Sequence, residues 1–271
     1  MPFTAEVPAP RPAACEVHLV SACGPVRAEN QDAGLAWHGD GGTVALLVAD
    51  GMGGHAAGRE AAQIAVRECA QALDERIPAI PWDEVLREAV ERAHRSVRAA
   101  RGERHRGSAM GATIALALID AAARPARLHV VHVGDSRVYL HRGRSLYRLT
   151  ADHSLVAQMV RDGLLGEAEA FGHPDGNVIQ RALGQDAPLE PELAEPLALE
   201  DGDLVLVSSD GLHGLVPEPE LAAALGRAGE NVAAVCATLL DLALAAGGED
   251  NVTIGCARRP SRRRAPRPTR V

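Results

Sequence analysis

Arg127-Leu-His-Val-Val-His-Val133-Gly134-Asp135-Ser136-Arg137-Val-Tyr-Leu-His141 reads as two short β-rich runs about a three-residue turn. Taken as a hairpin, the stretch makes antiparallel sheet and argues against a doubly wound parallel fold. Outward from it, further strands are expected at Glu16 to Ala22, Thr43 to Ala49, Thr113 to Ile119, Asp203 to Ser208 and Val252 to Ala257. Apolar residues at helical spacing predict helices over Ala57 to Glu75, Trp82 to Arg101, Ser154 to Asp162, Glu218 to Leu225 and Asn231 to Ala246. Long helices among antiparallel strands predict sheets packed together and covered by helices. One Gly- and acid-rich stretch, 163–184, is too long for an ordinary loop and is a candidate mobile flap.

At 271 residues and 46% apolar, the chain can bury one large core, and no Pro/Ser-rich break or repeat divides 16–257. The expected organisation is a flexible N-terminus over 1–15, one domain over 16–257, and a disordered Arg/Pro-rich tail over 258–271. Seven of the 28 basic residues lie in that tail, so the body before it carries 21 against 36 acidic ones. An acidic body suits cations and disfavours nucleic acid. No apolar run is long enough to span a membrane, and the start of the chain lacks the basic and apolar regions of a signal peptide. Five cysteines without C-x-x-C spacing argue against a disulfide framework or zinc ribbon. A soluble, cytoplasmic protein with buried free thiols is expected.

Acids recur at the ends of apolar runs, each followed by Gly or Asn: Val-Ala-Asp50-Gly51, Ser-Ser-Asp210-Gly211 and Glu249-Asp250-Asn251. A strand that ends in Asp aims an oxygen out of the sheet, and the adjoining Gly lets backbone turn sharply or approach an ion. Several such ends together make a hard-cation site. The Asp50-Gly-Met-Gly-Gly-His55 segment is not a P-loop, because the acid precedes the glycines and no Lys-Ser/Thr pair follows.

Eight segments in order carry a resemblance. They are Arg27-Ala-Glu-Asn-Gln31-Asp32, Asp50-Gly-Met-Gly-Gly-His55, Met110-Gly-Ala-Thr113, Gly134-Asp135-Ser-Arg137, Leu149-Thr-Ala-Asp152-His153-Ser154, Asn177-Val-Ile-Gln-Arg181-Ala-Leu-Gly184, Ser209-Asp210-Gly-Leu212 and Gly248-Glu-Asp250-Asn251-Val-Thr253. From about Val17 to Cys256 the chain resembles the bacterial metal-dependent PP2C (PPM) Ser/Thr protein phosphatases. The resemblance implies an α/β (α+β) sandwich, two antiparallel β-sheets packed face to face and flanked by helices on both sides. It implies hydrolysis of phosphoserine and phosphothreonine with two Mn²⁺ or Mg²⁺ ions, roughly 3.5–4 Å apart and sharing a bridging water. By that resemblance Asp50 bridges the ions, the Gly51 carbonyl ligates one, Asp210 and Asp250 complete the other, Asp32 holds waters around them, and Arg27 grips the phosphate.

His55 is the candidate general acid for the leaving alkoxide, since an imidazole near neutral pKa suits the task. His153 is read as capping the helix that follows it. By resemblance Asp135 helps to hold a third, weaker metal. Two departures bear on the site: Gly214, preceded by His213, stands where many relatives carry an acid or Asn, and Gln31 where many carry Glu. Implied partners are phosphoprotein substrates and an opposing bacterial Ser/Thr kinase, with no nucleic acid and a monomeric enzyme. The alternative is a catalytically weak pseudophosphatase that binds phosphoproteins; its mark would be a lost core acid or a lost Arg27, and all are present.

Overall fold

The computed structural model describes residues 15–105 and 108–259, the side chain of His55 excepted. The expectations for the N-terminus before Cys15 and for the tail past Arg259 lie outside the described residues. Among the described residues eleven strands and seven α-helices follow in the order β1 (Glu16–Ala22), β2 (Asp32–His38), β3 (Val44–Met52), α1 (His55–Asp74), α2 (Trp82–Arg104), β4 (Gly111–Ala112), β5 (Ile114–Asp120), β6 (Arg127–Val133), β7 (Arg137–Arg142), β8 (Ser145–Arg148), α3 (Leu155–Arg161), α4 (Glu167–Ala170), β9 (Glu192–Ala198), β10 (Leu204–Ser208), α5 (Asp210–His213), α6 (Glu218–Arg227), α7 (Val232–Ala245) and β11 (Val252–Arg258). One sheet runs β1-β11-β10-β7-β8 and the other β2-β3-β5-β6-β9, with β4 paired to β3. Every pairing is antiparallel.

Strand periodicity sorts the core into three layers. Along β5, Ile114, Leu116 and Leu118 face α1 and α2, while Ala115, Ala117 and Ile119 face the other sheet. Along β10, Leu204 and Leu206 face the layer of α6 and α7, while Val205 and Val207 enter the space between the sheets. Both faces are covered, which is why these strands read as continuous apolar runs and not as apolar–polar alternation. In α1 the buried row Ala57, Ala61, Ala65, Cys69 and Leu73 repeats every four residues, and its small side chains let α2 pack closely. The expected two-sheet sandwich flanked by helices is therefore the observed architecture.

The stretch that opened the sequence reading is not a hairpin. β6 pairs with β5 and β9 in one sheet, and β7 pairs with β10 and β8 in the other. Gly134-Asp135-Ser136 carries the chain across the gap between the sheets. Both strands keep alternate residues in the inter-sheet core, Leu128 and Val130 from β6 and Val138 and Leu140 from β7. Alternation alone cannot distinguish that crossing from a hairpin. The turn is buried: Gly134 has φ 99°, a Cβ there would lie 2.6 Å from the Thr113 side chain, and Ser136 shares a 2.7 Å hydrogen bond with Thr113. The true hairpin is β7–β8, turned through Gly143.

Candidate active site

Five chain segments place acids at the same end of the sandwich. Asp32 begins β2 and stands opposite Asp50 on β3. Asp135 sits in the inter-sheet crossing, Asp210 opens α5 directly after β10, and Asp250 precedes β11. All are electrostatic neighbours: Asp210, Asp32, Asp135 and Asp250 each raise the Asp50 carboxyl, after burial, which is the larger cause. Burial first, and then Asp210, also hold Asp135 well above the usual carboxylate range. Asp210 is pushed up to about 6 by burial and by Asp250, against hydrogen bonds from the Asp50 side chain and the Gly211 backbone. Asp32 is pushed up to about 7 by burial, against hydrogen bonds from Ser209 and Thr253.

Hydroxyls and amides beside the acids fix them. Ser209 Oγ donates to Asp32 Oδ2 at 2.7 Å, and Thr253 N donates to Ser209 Oγ at 2.9 Å. Asp50 N donates to Thr113 Oγ1 at 3.1 Å, and Thr113 N donates to Asp50 O at 2.8 Å. Asn251 accepts from Gln31 N at 2.8 Å and donates to the carbonyls of Cys23 and Glu29, tying the loop that carries Arg27 to the turn before β11 that carries Asp250. Arg27 Nη2 donates to Asp250 Oδ2 at 2.6 Å and its Nε to Glu249 O at 3.3 Å.

Asp32 Oδ1 and Asp210 Oδ1 are buried without a hydrogen-bond partner. Crowded carboxylates, Asp50 and Asp210 raised by their acidic neighbours, and two buried oxygens left over are the donor chemistry of hard divalent cations such as Mn²⁺ and Mg²⁺. A cleft of about 800 Å³ runs from Arg27, Asp135, Asp210 and Asp250 to Phe171 and Asn177.

The glycines next to the acids are needed for close packing. A Cβ on Gly51 would lie 2.0 Å from the Gly58 carbonyl oxygen, and one on Gly211 2.1 Å from that of Asn251. Gly214 is less tightly held: a Cβ there would lie 2.7 Å from the Asp210 carbonyl that its own N–H bonds. The neighbouring His213 is buried and its Nδ1 shares a 3.0 Å hydrogen bond with Ser208 Oγ.

Of the residues singled out in sequence, Arg27, Asp32, Asp50, Gly51, Asp135, Asp210 and Asp250 converge. His55 opens α1 after Gly54, and its side chain lies outside the described residues. His153 is not the helix cap: Ser154 is, accepting from Ala157 N at 3.3 Å. His153 instead stacks on His132 with ring centroids 4.7 Å apart. Sequence reasoning missed Thr113 and Ser209 as supports of the acids, although a hydroxyl directly precedes Asp210 and directly follows Asp135 in the chain. The expected flap, 163–184, contains the single turn α4 and is tied down by bridges Ala112–Leu183 and Ser154–Ile179.

The family model for protein phosphatase 2C matches residues 26–238. Protein phosphatase PhpP of Streptococcus pneumoniae (strain D39) is 34% identical over 243 residues, covering 88% of this chain and 95% of the relative. The crystal structure of the Mycobacterium tuberculosis serine/threonine phosphatase PstP/Ppp superposes with a TM-score of 0.80 at 34% identity, covering 92% of this chain and all of that one. A second PstP structure, the catalytic domain in complex with two manganese ions, gives 0.77 at 33% identity, covering 90% of this chain and 97% of that one. The matched stretch spans residues 26–238, and the chain belongs to the protein phosphatase 2C family of serine/threonine phosphatases.

Proposed function

We propose that this protein serine/threonine phosphatase works through its five clustered aspartates and Arg27, with residues 16–257 as one catalytic domain. Asp50, Asp210 and Asp250, with the Gly51 carbonyl, would hold two Mn²⁺ or Mg²⁺ ions, and Asp135 would contribute to a weaker third. When bound, such ions supply a water of lowered pKa and neutralise charge on the phosphoryl group. Asp32, braced by Ser209, orients water at the site. Arg27 receives the phosphate at the mouth of the cleft, with the guanidinium fork suited to its oxygens. Water adds to phosphorus, the bond to the serine or threonine oxygen breaks, and that oxygen takes a proton, for which His55 is the proposed donor. His55→Ala should slow alkyl phosphates more than aryl ones; a kcat unchanged from wild type on both would remove it from the role.

The single observation behind this reading is the set of buried acids that raise one another at one end of a cleft beside Arg27. The substrate class is a phosphoprotein, opposing a bacterial Ser/Thr kinase, and residues 163–184, which contribute Phe171 and Asn177 to the cleft, act as a flap over it. A cytoplasmic monomer accords with the acidic body, and among the described residues no helix is long and apolar enough to cross a membrane. Turnover of p-nitrophenyl phosphate and a phosphothreonine peptide with Mn²⁺, with Mg²⁺ and with EDTA, beside Asp210→Asn, tests the reading. Metal-dependent turnover lost in the variant supports it; a folded protein inactive at millimolar Mn²⁺ overturns it.

A further inference from the structure

A second polar cluster lies just behind the crossing that carries Asp135. His132, His153 and Glu192 bring one nitrogen or oxygen each within 4.8 Å of one another. Their hydrogen bonds argue against a metal there. Gly134 N donates to His153 Nδ1 at 3.1 Å, so Nδ1 bears no proton and the neutral ring carries its proton on Nε2. That proton is directed at Glu192 Oε2, 3.0 Å away. His132 Nε2 faces the Ala151 carbonyl at 2.9 Å and is therefore protonated as well. An ion at His153 Nε2 would have to displace its proton, and the two rings, stacked at 22°, cannot both aim a lone pair at one point.

The same bonds assign another task. His153 N donates to Gly134 O at 3.0 Å, so both backbone polar groups of Gly134 are held by this one residue. His153 O in turn accepts from Gln180 N at 2.8 Å. Burial lowers the His153 pKa, which keeps the ring neutral and Nδ1 free to accept. We propose that His153 is a positioning residue of the phosphatase site: clamped by Glu192 and His132, it fixes the Gly134 peptide and thereby the Asp135 carboxylate at the acidic cluster. The proposal rests on the reading of Asp135 as a metal-binding residue.

Two-bond ¹H–¹⁵N NMR correlations on the full chain read the tautomer directly. Bare Nδ1 with protonated Nε2 at neutral pH is expected, and a protonated Nδ1 overturns the proposal whatever the activity. His153→Leu should raise the Mn²⁺ concentration for half-maximal turnover roughly tenfold, as loss of a residue supporting a ligand does. His153→Asn, whose Oδ1 can take the place of Nδ1, should recover most of that loss, and His153→Leu should add nothing in an Asp135→Ala background. An equal loss with and without Asp135, or no recovery by a fully folded Asn variant, overturns the proposal. A wild type that lacks Mn²⁺-dependent turnover defeats the phosphatase reading, and the clamp is then tested by the tautomer and by calorimetric Mn²⁺ titration of wild type and His153→Asn, where unequal affinities count against it.

Discussion

Asp32 and Asp50 stand directly opposite each other on the antiparallel strands β2 and β3. Like charges across a strand pair are destabilising, so in the absence of cations the pair and its neighbours favour protonation. Asp32 is pushed up to about 7 and Asp210 to about 6, above the unfolded value of roughly 3.9. A folded-state pKa above the unfolded one means stability that is fully present below about pH 4 and is lost as pH rises through about 6 and 7. Cations compete with those protons, so the gain in melting temperature from Mn²⁺ over EDTA should be small near about pH 5 and grow to about pH 8. Asp210→Asn should flatten the trend. An equal gain at both pH values would refute this account.

Gly51 and Gly211 each follow a site aspartate, and each is pressed against a backbone carbonyl. Substituting Ala at either forces the 2.0 or 2.1 Å approach to open. Overpacking of this kind costs about 1–3 kcal/mol or more. Gly51→Ala and Gly211→Ala should both lower the melting temperature and reduce turnover together, because the displaced backbone carries Asp50 or Asp210. Exposed Gly226, with nothing near its added Cβ, is the control and should tolerate Ala in both assays.

Those same Asp-Gly pairs were what made the site legible in sequence, since an acid at a strand end needs no tertiary information to be noticed. The helices were legible too, because α1 and α2 repeat small apolar residues at helical spacing over five turns or more. What stayed hidden was set by partners distant in sequence. β2, Asp-Ala-Gly-Leu-Ala-Trp-His, lacks β-branched residues, and β9 contains Pro196 and two glutamates; both are edge strands whose extension is imposed by one neighbour. The crossing at Gly134 to Ser136 was misread because a turn's residues say where the chain bends and not which sheet receives it. His153 reads as a cap in sequence because its bond to Gly134 joins residues 19 apart.

Arg137 and Asp152 form a bidentate pair, with Nε and Nη2 donating to the two carboxylate oxygens at 2.9 and 2.6 Å. Their side chains are only 17% and 9% exposed, so each needs the other. Arg137→Met leaves a buried carboxylate unpaired and should cost about 3–5 kcal/mol. Adding Asp152→Leu removes the stranded charge and should restore much of the loss. Denaturant melts of the single and double variants check this; a double variant no better than Arg137→Met would show that the pair does more than neutralise itself.

Arg27 is half exposed at the cleft mouth, anchored by Asp250 on one side and the Glu249 carbonyl on the other. Asp250 is thus shared between an arginine and the acidic cluster, and the two functions separate on substitution. Hydrogen bonds to charged groups contribute about 1.5–3 kcal/mol, so Arg27→Ala should cut kcat/KM roughly 10- to 100-fold. Because the phosphate bears negative charge before and during reaction, most of that loss should fall on KM, with kcat changed less. Arg27→Lys retains charge without the planar fork and should recover only part. Removing the guanidinium also frees Asp250 from its competing partner, so Mn²⁺ should bind Arg27→Ala at least as tightly as wild type. Steady-state kinetics with p-nitrophenyl phosphate beside a Mn²⁺ titration separates the two effects: weakened metal binding with an unchanged KM would place Arg27 in support of Asp250 and not in contact with the phosphate.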